Sequence, residues 1–160
     1  MTLRGSSADT TSDGTSQPNA ALTALTLCAG EGIGELLVLD EPLSFWGGTD
    51  LATGVITDVH HPQRGTSLAG RVVAMSASRG SSSSSSVLAE QLRAGVGPSA
   101  LILTGRDAIL ALGALAAAEL YGSSVPIVLI DANELAGLAA DSGIRVRVHA
   151  DAARATIEAQ

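Results

Sequence analysis

The sequence contains no lysine, one cysteine and very few aromatic residues, and these shortages exclude several classes of protein. All nine basic residues are arginines and the formal net charge is −7, so the clustered positive charge of a nucleic-acid-binding surface is absent. The single cysteine, Cys28, excludes an internal disulfide framework and a metal site built from cysteines. We therefore expect no nucleic-acid partner.

Long apolar runs are also missing. No stretch is long enough to cross a bilayer, and the N-terminus lacks the basic-then-apolar order of a secretory signal, so we expect a cytoplasmic protein with no membrane partner. Because Phe, Trp and Tyr make up only 2% of the residues, the core must be built from Val, Ile, Leu and Ala. Such a core favours an α/β fold in which helices lie close on a sheet.

The chain divides into a polar N-terminal segment and one folded domain. Residues 1–21 are rich in Ser, Thr, Asp and Gly and cannot bury enough apolar surface to offset their ordering entropy, so they are predicted to form a disordered tail. Residues 22–160 form the predicted domain, with a β-rich first half. Its predicted elements are two strands over 25–29 and 36–39 joined by a glycine-bearing turn at 31–35, a short strand over 53–59 and a strand over 71–75.

The second half of the domain alternates between helix and strand. The predicted helices cover 83–94, 107–120, 131–140 and 151–159, and the predicted strands cover 100–103, 125–130 and 143–149. The last of these helices is amphipathic. A β-rich half followed by a β-α-β-α-β half argues for three layers, β on β on α, with a partly closed sheet.

The most informative stretch joins the two halves. Arg79 and Gly80 are followed by six consecutive serines, Ser81 to Ser86, and then by the apolar periodicity of a helix. A helix N-terminus carries unpaired N–H groups and the positive end of the helix dipole, so a serine hydroxyl there, beside Arg79, lies where an anion or alkoxide is stabilised. The pattern predicts an active site or an anion-binding site. The alternative, a flexible serine-rich linker, is disfavoured because a strand and a helix bound the run closely.

A second unusual cluster contains the only phenylalanine and the only tryptophan of the chain beside two glycines and an acid: Phe45, Trp46, Gly47, Gly48 and Asp50. One interpretation is that the aromatic pair plugs one end of a small barrel. The other is that the glycines let a ligand or a partner subunit approach the backbone near Asp50. The two interpretations are compatible.

Together these motifs resemble the small subunit, or swivelling domain, of the aconitase X family. The residues that carry the resemblance are Leu36, Val38 and Leu39, segments 41–50 and 53–56, His61-Pro62, Gly65 and Arg79-Gly80-Ser81. The resemblance covers roughly residues 25–148. It implies a swivelling β/β/α domain that closes over a larger catalytic subunit carrying an iron or iron–sulfur centre, the two forming a hydro-lyase.

The resemblance also implies roles for individual residues. It assigns proton abstraction to Ser81, whereas the Arg and Glu that follow the serine turn of ordinary aconitases are not matched after Ser82. Family members often have glycine where Ser84 stands and serine at the position of Ser85, which leaves open which later serine binds substrate. The expected substrate or oxyanion contacts are Arg79, Gly80, Ser82 and Ser85, and the further candidates for the site or an interface are Trp46, Gly47, Gly48, Asp50 and His61.

The surroundings of Ser81 are consistent with this role. The alkoxide of a serine beside a helix N-terminus and Arg79 is stabilised in the same way as an oxyanion. Adjacent histidines without a third ligand at metal-binding spacing make His60 and His61 an improbable metal site. With no ligand set for iron in this chain, we expect it to bind no cofactor alone, to take its metal from the large subunit and to be inactive without that subunit.

Three functions remain open. Dehydration of cis-3-hydroxy-L-proline, associated with bacterial members of the family, is favoured by the arginine-only, alanine-rich composition. Dehydration of mevalonate 5-phosphate, associated with archaeal members, would call for more positive charge than Arg79 and Arg64 supply. The third function is a non-catalytic anion-binding or phosphocarrier-type module, in which His60 or His61 would be the carrier residue.

Overall fold

The computed structural model describes residues 21–160. All but the last residue of the predicted tail, 1–21, therefore lies outside the described residues. The described chain contains seven strands, four helical segments and one 3₁₀ turn, and their bounds are β1 Leu22–Cys28, β2 Gly30–Val38, α1 Phe45–Gly48, β3 Val72–Ala74, α2 Ser84–Arg93, β4 Ala100–Leu103, α3 Ala108–Tyr121, β5 Ile127–Leu129, α4 Ala132–Leu138, the 3₁₀ turn Ala139–Asp141, β6 Arg145–Ala150 and β7 Arg154–Ala159.

The strands form a closed barrel in the order β1-β5-β4-β3-β2-β6-β7. Strands β2, β3, β4 and β5 are parallel neighbours, and all other pairs are antiparallel. The predicted α/β class is confirmed, and the sheet closes completely because β7 pairs with both β6 and β1.

Two apolar clusters divide the domain into the expected β/β/α layers. One cluster includes Leu36, Val72, Ile102 and Val148, which the strand register places together inside the barrel. The other lies between the parallel strands and helices α2 and α3, and Val73, Leu101, Leu88 and Leu110 belong to it. Strand β4 is buried at all four positions because it contributes to both clusters, as its unbroken apolar run predicted.

The first two strands differ from the prediction. Strands β1 and β2 do not pair with each other, and the expected glycine turn lies inside β2. The glycines there permit close approach rather than a turn, because a Cβ on Gly32 would collide with the carbonyl of Ser99 and one on Gly34 with the carbonyl of Gly70.

The short strand predicted over 53–59 is wrong as a strand. Only isolated bridges form in this part of the chain, between Val55 and Ser67 and between Thr49 and Ile56. They hold a loop that runs from α1 to β3 outside the barrel ladder.

Among the described residues, none of the helices combines the length and apolar character that crossing a membrane would require.

The helix predicted over 151–159 is wrong, because residues Arg154–Ala159 form strand β7. Ala155 and Ile157 alternate with more exposed neighbours and point into the barrel, which is a period of two. The carboxylate of Asp151 accepts hydrogen bonds from the amides of Ala153 and Arg154, both at 2.8 Å, and so forms the turn between β6 and β7. The alanine-rich composition favoured a helix, but closure of the barrel decides the structure.

The two long helices begin and end close to where the sequence predicted. The carboxylate of Asp107 accepts hydrogen bonds from the amides of Ile109 and Leu110 at 3.0 and 2.9 Å, which is the arrangement of a helix N-cap. Gly122 ends α3 in the left-handed conformation. Helix α2 begins at Ser84, within one residue of the predicted start.

Candidate functional site

The candidate site lies at the carboxyl edge of the four parallel strands. The loop that follows β3 runs beside the loop that follows β4, because the amide and hydroxyl of Thr104 both donate to the carbonyl of Ser76, at 3.2 and 2.9 Å. Further along, the hydroxyl of Ser78 donates to the carboxylate of Asp107. In α/β sheets this edge is the usual place for ligands.

Ser81 lies on this edge as an exposed residue of a tight turn. Gly80 precedes it with φ of +101°, a conformation that side-chain-bearing residues rarely adopt. The hydroxyl oxygen of Ser81 accepts a hydrogen bond from the amide of Ser83 at 3.2 Å, and its carbonyl accepts one from the amide of Ser84 at 3.0 Å. Ser81 therefore stands three residues before α2. Its hydroxyl contacts the amide of Ser83, which immediately precedes the helix, and does not cap the helix itself.

The later serines of the run have different surroundings. The carbonyl of Ser82 accepts hydrogen bonds from both the amide and the hydroxyl of Ser85, at 3.2 and 2.8 Å. The Ser85 hydroxyl is thus turned back toward the chain, whereas Ser84 is buried with 1% of its surface exposed.

Arg79 is held by carboxylates from the preceding loop. Its guanidinium lies 3.3 Å from Asp58 and 3.9 Å from Glu41, and its amide donates to the carbonyl of Leu43 at 3.1 Å. The pKa of Asp58 is lowered, first by the hydrogen bond from the backbone of His60 and then by Arg79. Because two carboxylates face one guanidinium, the immediate charge around Arg79 is negative.

The structure brings the aromatic-glycine cluster against the serine turn. A bridge between Leu43 and Ser78 runs the two segments in parallel, and the amide of Trp46 donates to the hydroxyl of Ser84 at 3.1 Å. A Cβ on Gly80 would lie only 2.5 Å from the hydroxyl oxygen of Ser44. Close contact between the two motifs therefore depends on glycine at position 80.

The two aromatic residues do not act together as the pair that the barrel-plug interpretation expected. Phe45 is completely buried in the cluster beneath the helices, whereas Trp46 keeps 58% of its surface exposed. Trp46 lines a cavity of about 780 Å³ along α2 and α3, together with Ser83, Ser85 and Tyr121. Arg79 and Ser81 do not line this cavity.

Gly47, Gly48 and Asp50 shape the loop beside the site. Gly47 has φ of +76°, and the carbonyl of Gly48 accepts the amides of Thr57 and Asp58. The carboxylate of Asp50 accepts three hydrogen bonds from Ala52 and Thr53, and the Thr53 hydroxyl is the main cause of its lowered pKa. These contacts give Asp50 the role of closing its own turn.

His61 is buried, and both of its ring nitrogens have partners. Nδ1 accepts the amide of Gln63 at 3.1 Å, so Nε2 carries the proton and donates to the carbonyl of Glu41 at 3.2 Å. This arrangement ties the 60–65 loop to the segment that holds Arg79. It leaves no free nitrogen on His61 for a phosphoryl group or a metal.

The residues described by the structure do not fit an iron centre. Within 21–160, no group of three or more His, Cys, Asp or Glu side chains is arranged to hold a metal ion. Cys28 is buried beside the carbonyl of Ala111, at 3.9 Å, and burial raises the pKa of its thiol, which disfavours the thiolate that a metal would need.

Three residues of the site region escaped the sequence analysis. Glu41 and Asp58 are distant from Arg79 along the chain, and nothing in their spacing signals the ion pairs. Ser84 could not be distinguished from its five neighbouring serines, because only burial against Trp46 separates it from them.

Comparisons with known proteins agree on one family. A model of the aconitase X swivel domain matches residues 21–158. The cis-3-hydroxy-L-proline dehydratase of Pseudomonas aeruginosa is 49% identical over 102 residues, which are 64% of this chain and 18% of that protein. The phosphomevalonate dehydratase small subunit of Thermococcus onnurineus is 36% identical over 132 residues, which are 82% of this chain and 94% of that protein.

Solved structures give the same result. The crystal structure of Thermococcus kodakaraensis aconitase X in its holo-form matches with a TM-score of 0.74 and 30% identity, covering 89% of this chain and 99% of that chain. The present chain spans less than a fifth of the Pseudomonas dehydratase but nearly the whole of the Thermococcus onnurineus small subunit.

Proposed function

Because this chain belongs to the aconitase X swivel-domain family, we propose that it is the small subunit of a two-subunit hydro-lyase that dehydrates cis-3-hydroxy-L-proline to 1-pyrroline-2-carboxylate. The observation that carries the proposal is the Arg79-Gly80-Ser81 turn, which presents an exposed serine hydroxyl at the carboxyl edge of the parallel strands. The large subunit supplies the iron or iron–sulfur centre, and the complex is cytoplasmic.

In this proposal Ser81 abstracts the proton from the α carbon of the substrate. That carbon is acidified by the neighbouring carboxylate, and hydroxide leaves from the adjacent carbon. The resulting enamine becomes the cyclic imine by moving a proton from nitrogen to carbon. A serine hydroxyl is a weak acid, so its alkoxide needs donors, and the amide of Ser83 at 3.2 Å from the oxygen is one of them.

Two observations bear on the substrate. The higher identity to the hydroxyproline dehydratase, 49% against 36%, supports the amino acid. The pairing of Arg79 with Asp58 and Glu41 also supports it, because a phosphate dianion would compete with two carboxylates for that guanidinium.

Mevalonate 5-phosphate is the second candidate. The observation in its favour is coverage, since the chain accounts for 94% of a phosphomevalonate dehydratase small subunit. A phosphocarrier module centred on His61 is disfavoured, because both ring nitrogens of His61 are engaged.

The proposal is tested by co-expressing the chain with the large subunit, purifying the complex without oxygen and assaying loss of water from both candidate substrates. We expect turnover of cis-3-hydroxy-L-proline by the complex and none by this chain alone. Ser81→Ala should lower kcat by about a hundredfold or more, the usual effect of removing an essential general base.

Ser86→Ala is the matched control. Ser86 is exposed, and its hydroxyl makes no hydrogen bond within the part of the chain that the structure describes. If Ser81→Ala stays within a few-fold of the unaltered complex, the role of Ser81 in proton transfer is wrong. If a stable complex turns over only mevalonate 5-phosphate, the substrate assignment is wrong and the subunit assignment stands.

A further inference from the structure

Ser78 and Asp107 link the loop that carries Ser81 to helix α3. The hydroxyl of Ser78 donates to one carboxylate oxygen of Asp107, and the other oxygen of the same carboxylate accepts the amides of Ile109 and Leu110 at the start of the helix. Ser78 stands only three residues before Ser81, on the same edge of the sheet. The pair therefore joins the candidate site to a fixed point on α3.

This contact is the only hydrogen bond between the turn and the α3 side of the domain. Among the described residues, the other long-range contacts of segment 77–82 all go to segment 41–58. There the amide of Arg79 donates to the carbonyl of Leu43 at 3.1 Å, and its guanidinium pairs with two carboxylates. Segment 41–58 contains no strand of the barrel. Without the contact to Asp107, the turn would have no side-chain attachment to the packed helices.

Helix α3 is a rigid support for this contact. It runs for 14 residues and packs so closely on α2 that a Cβ on Gly113 would lie 2.6 Å from the carbonyl oxygen of Ser85. Ser81 thus lies between two points that are both held against α3, Ser78 through the carboxylate of Asp107 and Ser85 through close helix packing. A short segment that is fixed at both ends has few backbone conformations available to it.

We propose that Ser78 and Asp107 are positioning residues, which hold the Arg79-Gly80-Ser81 turn against α3 and so fix where the Ser81 hydroxyl meets the substrate. Such support matters because glycine restricts its own backbone very little, so Gly80 cannot hold the shape of the turn alone. The effect on turnover rests on the proposed function, since a reacting group misplaced by about 1 Å can lose about a hundredfold in rate. The order of the turn does not, because it can be measured without the large subunit.

The first measurement is the backbone order of the turn, from nitrogen-15 relaxation of the complete chain. We expect Ser78→Ala to lower the order parameters of Gly80 and Ser81 from about 0.85, typical of rigid backbone, to about 0.6. Asp107→Ser should do the same, because serine is also a good N-cap but lacks the second oxygen that Ser78 contacts. Ser78→Thr, which retains the hydroxyl, should leave both values unchanged. Unchanged order in both Ser78→Ala and Asp107→Ser would refute the proposal.

The second measurement is turnover by the complex with the large subunit. Ser78→Ala and Asp107→Ser should each lower kcat by about tenfold, as the loss of one hydrogen bond to a charged group predicts. The double variant should be no slower than either single variant, because both substitutions remove the same contact. Ser78→Thr should keep kcat within about twofold. Asp131→Ser is the matched control, because it makes the same exchange at the N-cap of α4, and it should leave kcat unchanged.

A general loss of stability would give a different pattern, in which kcat of the folded complex is unchanged and only Tm falls. That pattern would overturn the positioning role. So would losses that multiply in the double variant, or a Ser78→Thr complex as slow as Ser78→Ala. If the complex turns over neither candidate substrate while the order parameters fall as expected, the proposed function fails and the support of the turn by Asp107 stands.

Discussion

Replacing Gly80 by alanine tests how closely the two motifs of the site must approach. A Cβ at this position would lie 2.5 Å from the hydroxyl oxygen and 3.1 Å from the Cβ of Ser44. The residue would also have to adopt φ near +101°, which side-chain-bearing residues avoid. Two separate penalties therefore act on one substitution.

Their magnitudes can be worked out separately. A left-handed conformation costs an ordinary residue roughly 1–2 kcal/mol, and overpacking by one methyl group costs about 1–3 kcal/mol. We expect Gly80→Ala to lower the free energy of unfolding by about 2–5 kcal/mol. For a domain of this size each kcal/mol shifts Tm by roughly 2–4 °C, so thermal unfolding followed by circular dichroism would resolve the effect.

Gly65→Ala is the matched control for backbone strain. Gly65 also has positive φ, at +88°, but a Cβ there would meet no atom within 4 Å. The difference between the two variants measures the clash with Ser44. Adding Ser44→Ala to Gly80→Ala should recover part of that difference, and a Gly80→Ala variant no less stable than Gly65→Ala would refute the close approach of the two motifs.

Two further predictions concern the barrel and the ion pair of the site. Ile157→Ala should lower the free energy of unfolding in denaturant by about 2–5 kcal/mol, because Ile157 is only 4% exposed inside the barrel. Glu158→Ala, on the outer face, should have little effect. Equal effects of the two substitutions would contradict the assignment of this segment to a strand. The lowered pKa of Asp58 means that its carboxylate stabilises the fold above the unfolded value of about 3.9 and that this contribution is lost as the pH falls through the folded value. The difference in Tm between the unaltered chain and Asp58→Asn should thus be present at pH 6 and shrink as the pH falls below about 3.9, and a difference that grows on acidification would overturn the assignment.

The parts of the fold that the sequence predicted well have strong local signals. Asp107 and Gly122 bound α3 as an N-cap and a left-handed C-cap, and the apolar run of β4 is buried on both faces. Local rules suffice there because the residues that determine the structure are neighbours in the chain.

The errors all arose where a distant part of the chain decides the structure. Strand β7 has a composition that favours a helix, and only pairing with β1 and β6 makes it a strand. The glycines of β2 suggested a turn. The structure instead requires glycine at these positions because the carbonyls of Ser99 and Gly70 lie too close for a Cβ atom. Tertiary contacts of this kind override local propensity and cannot be read from spacing.

In the candidate site, too, the features with local sequence signals were predicted and those that depend on distant residues were not. The sequence identified Ser81 and Arg79 because glycine, serine and arginine are adjacent there, but the partners of Arg79 come from residues more than twenty positions away. The sequence predicted Arg79 as a substrate or oxyanion contact beside the serine, and the structure adds that its guanidinium is shared between Asp58 and Glu41. A motif can predict which residue type stands at a position. How much of that residue's charge is available to a ligand depends on the neighbours that the fold places beside it.

That distribution of charge limits what this chain can contribute to the proposed reaction. It offers a hydroxyl, the amide of Ser83 and a rigidly held turn, while the charge of Arg79 is already balanced by carboxylates. A substrate carboxylate bound opposite Ser81 would need a cation, because an uncompensated anion is costly to remove from water. Under the proposed function that cation comes from the large subunit, so the small subunit provides position and a proton acceptor while the large subunit provides most of the binding charge.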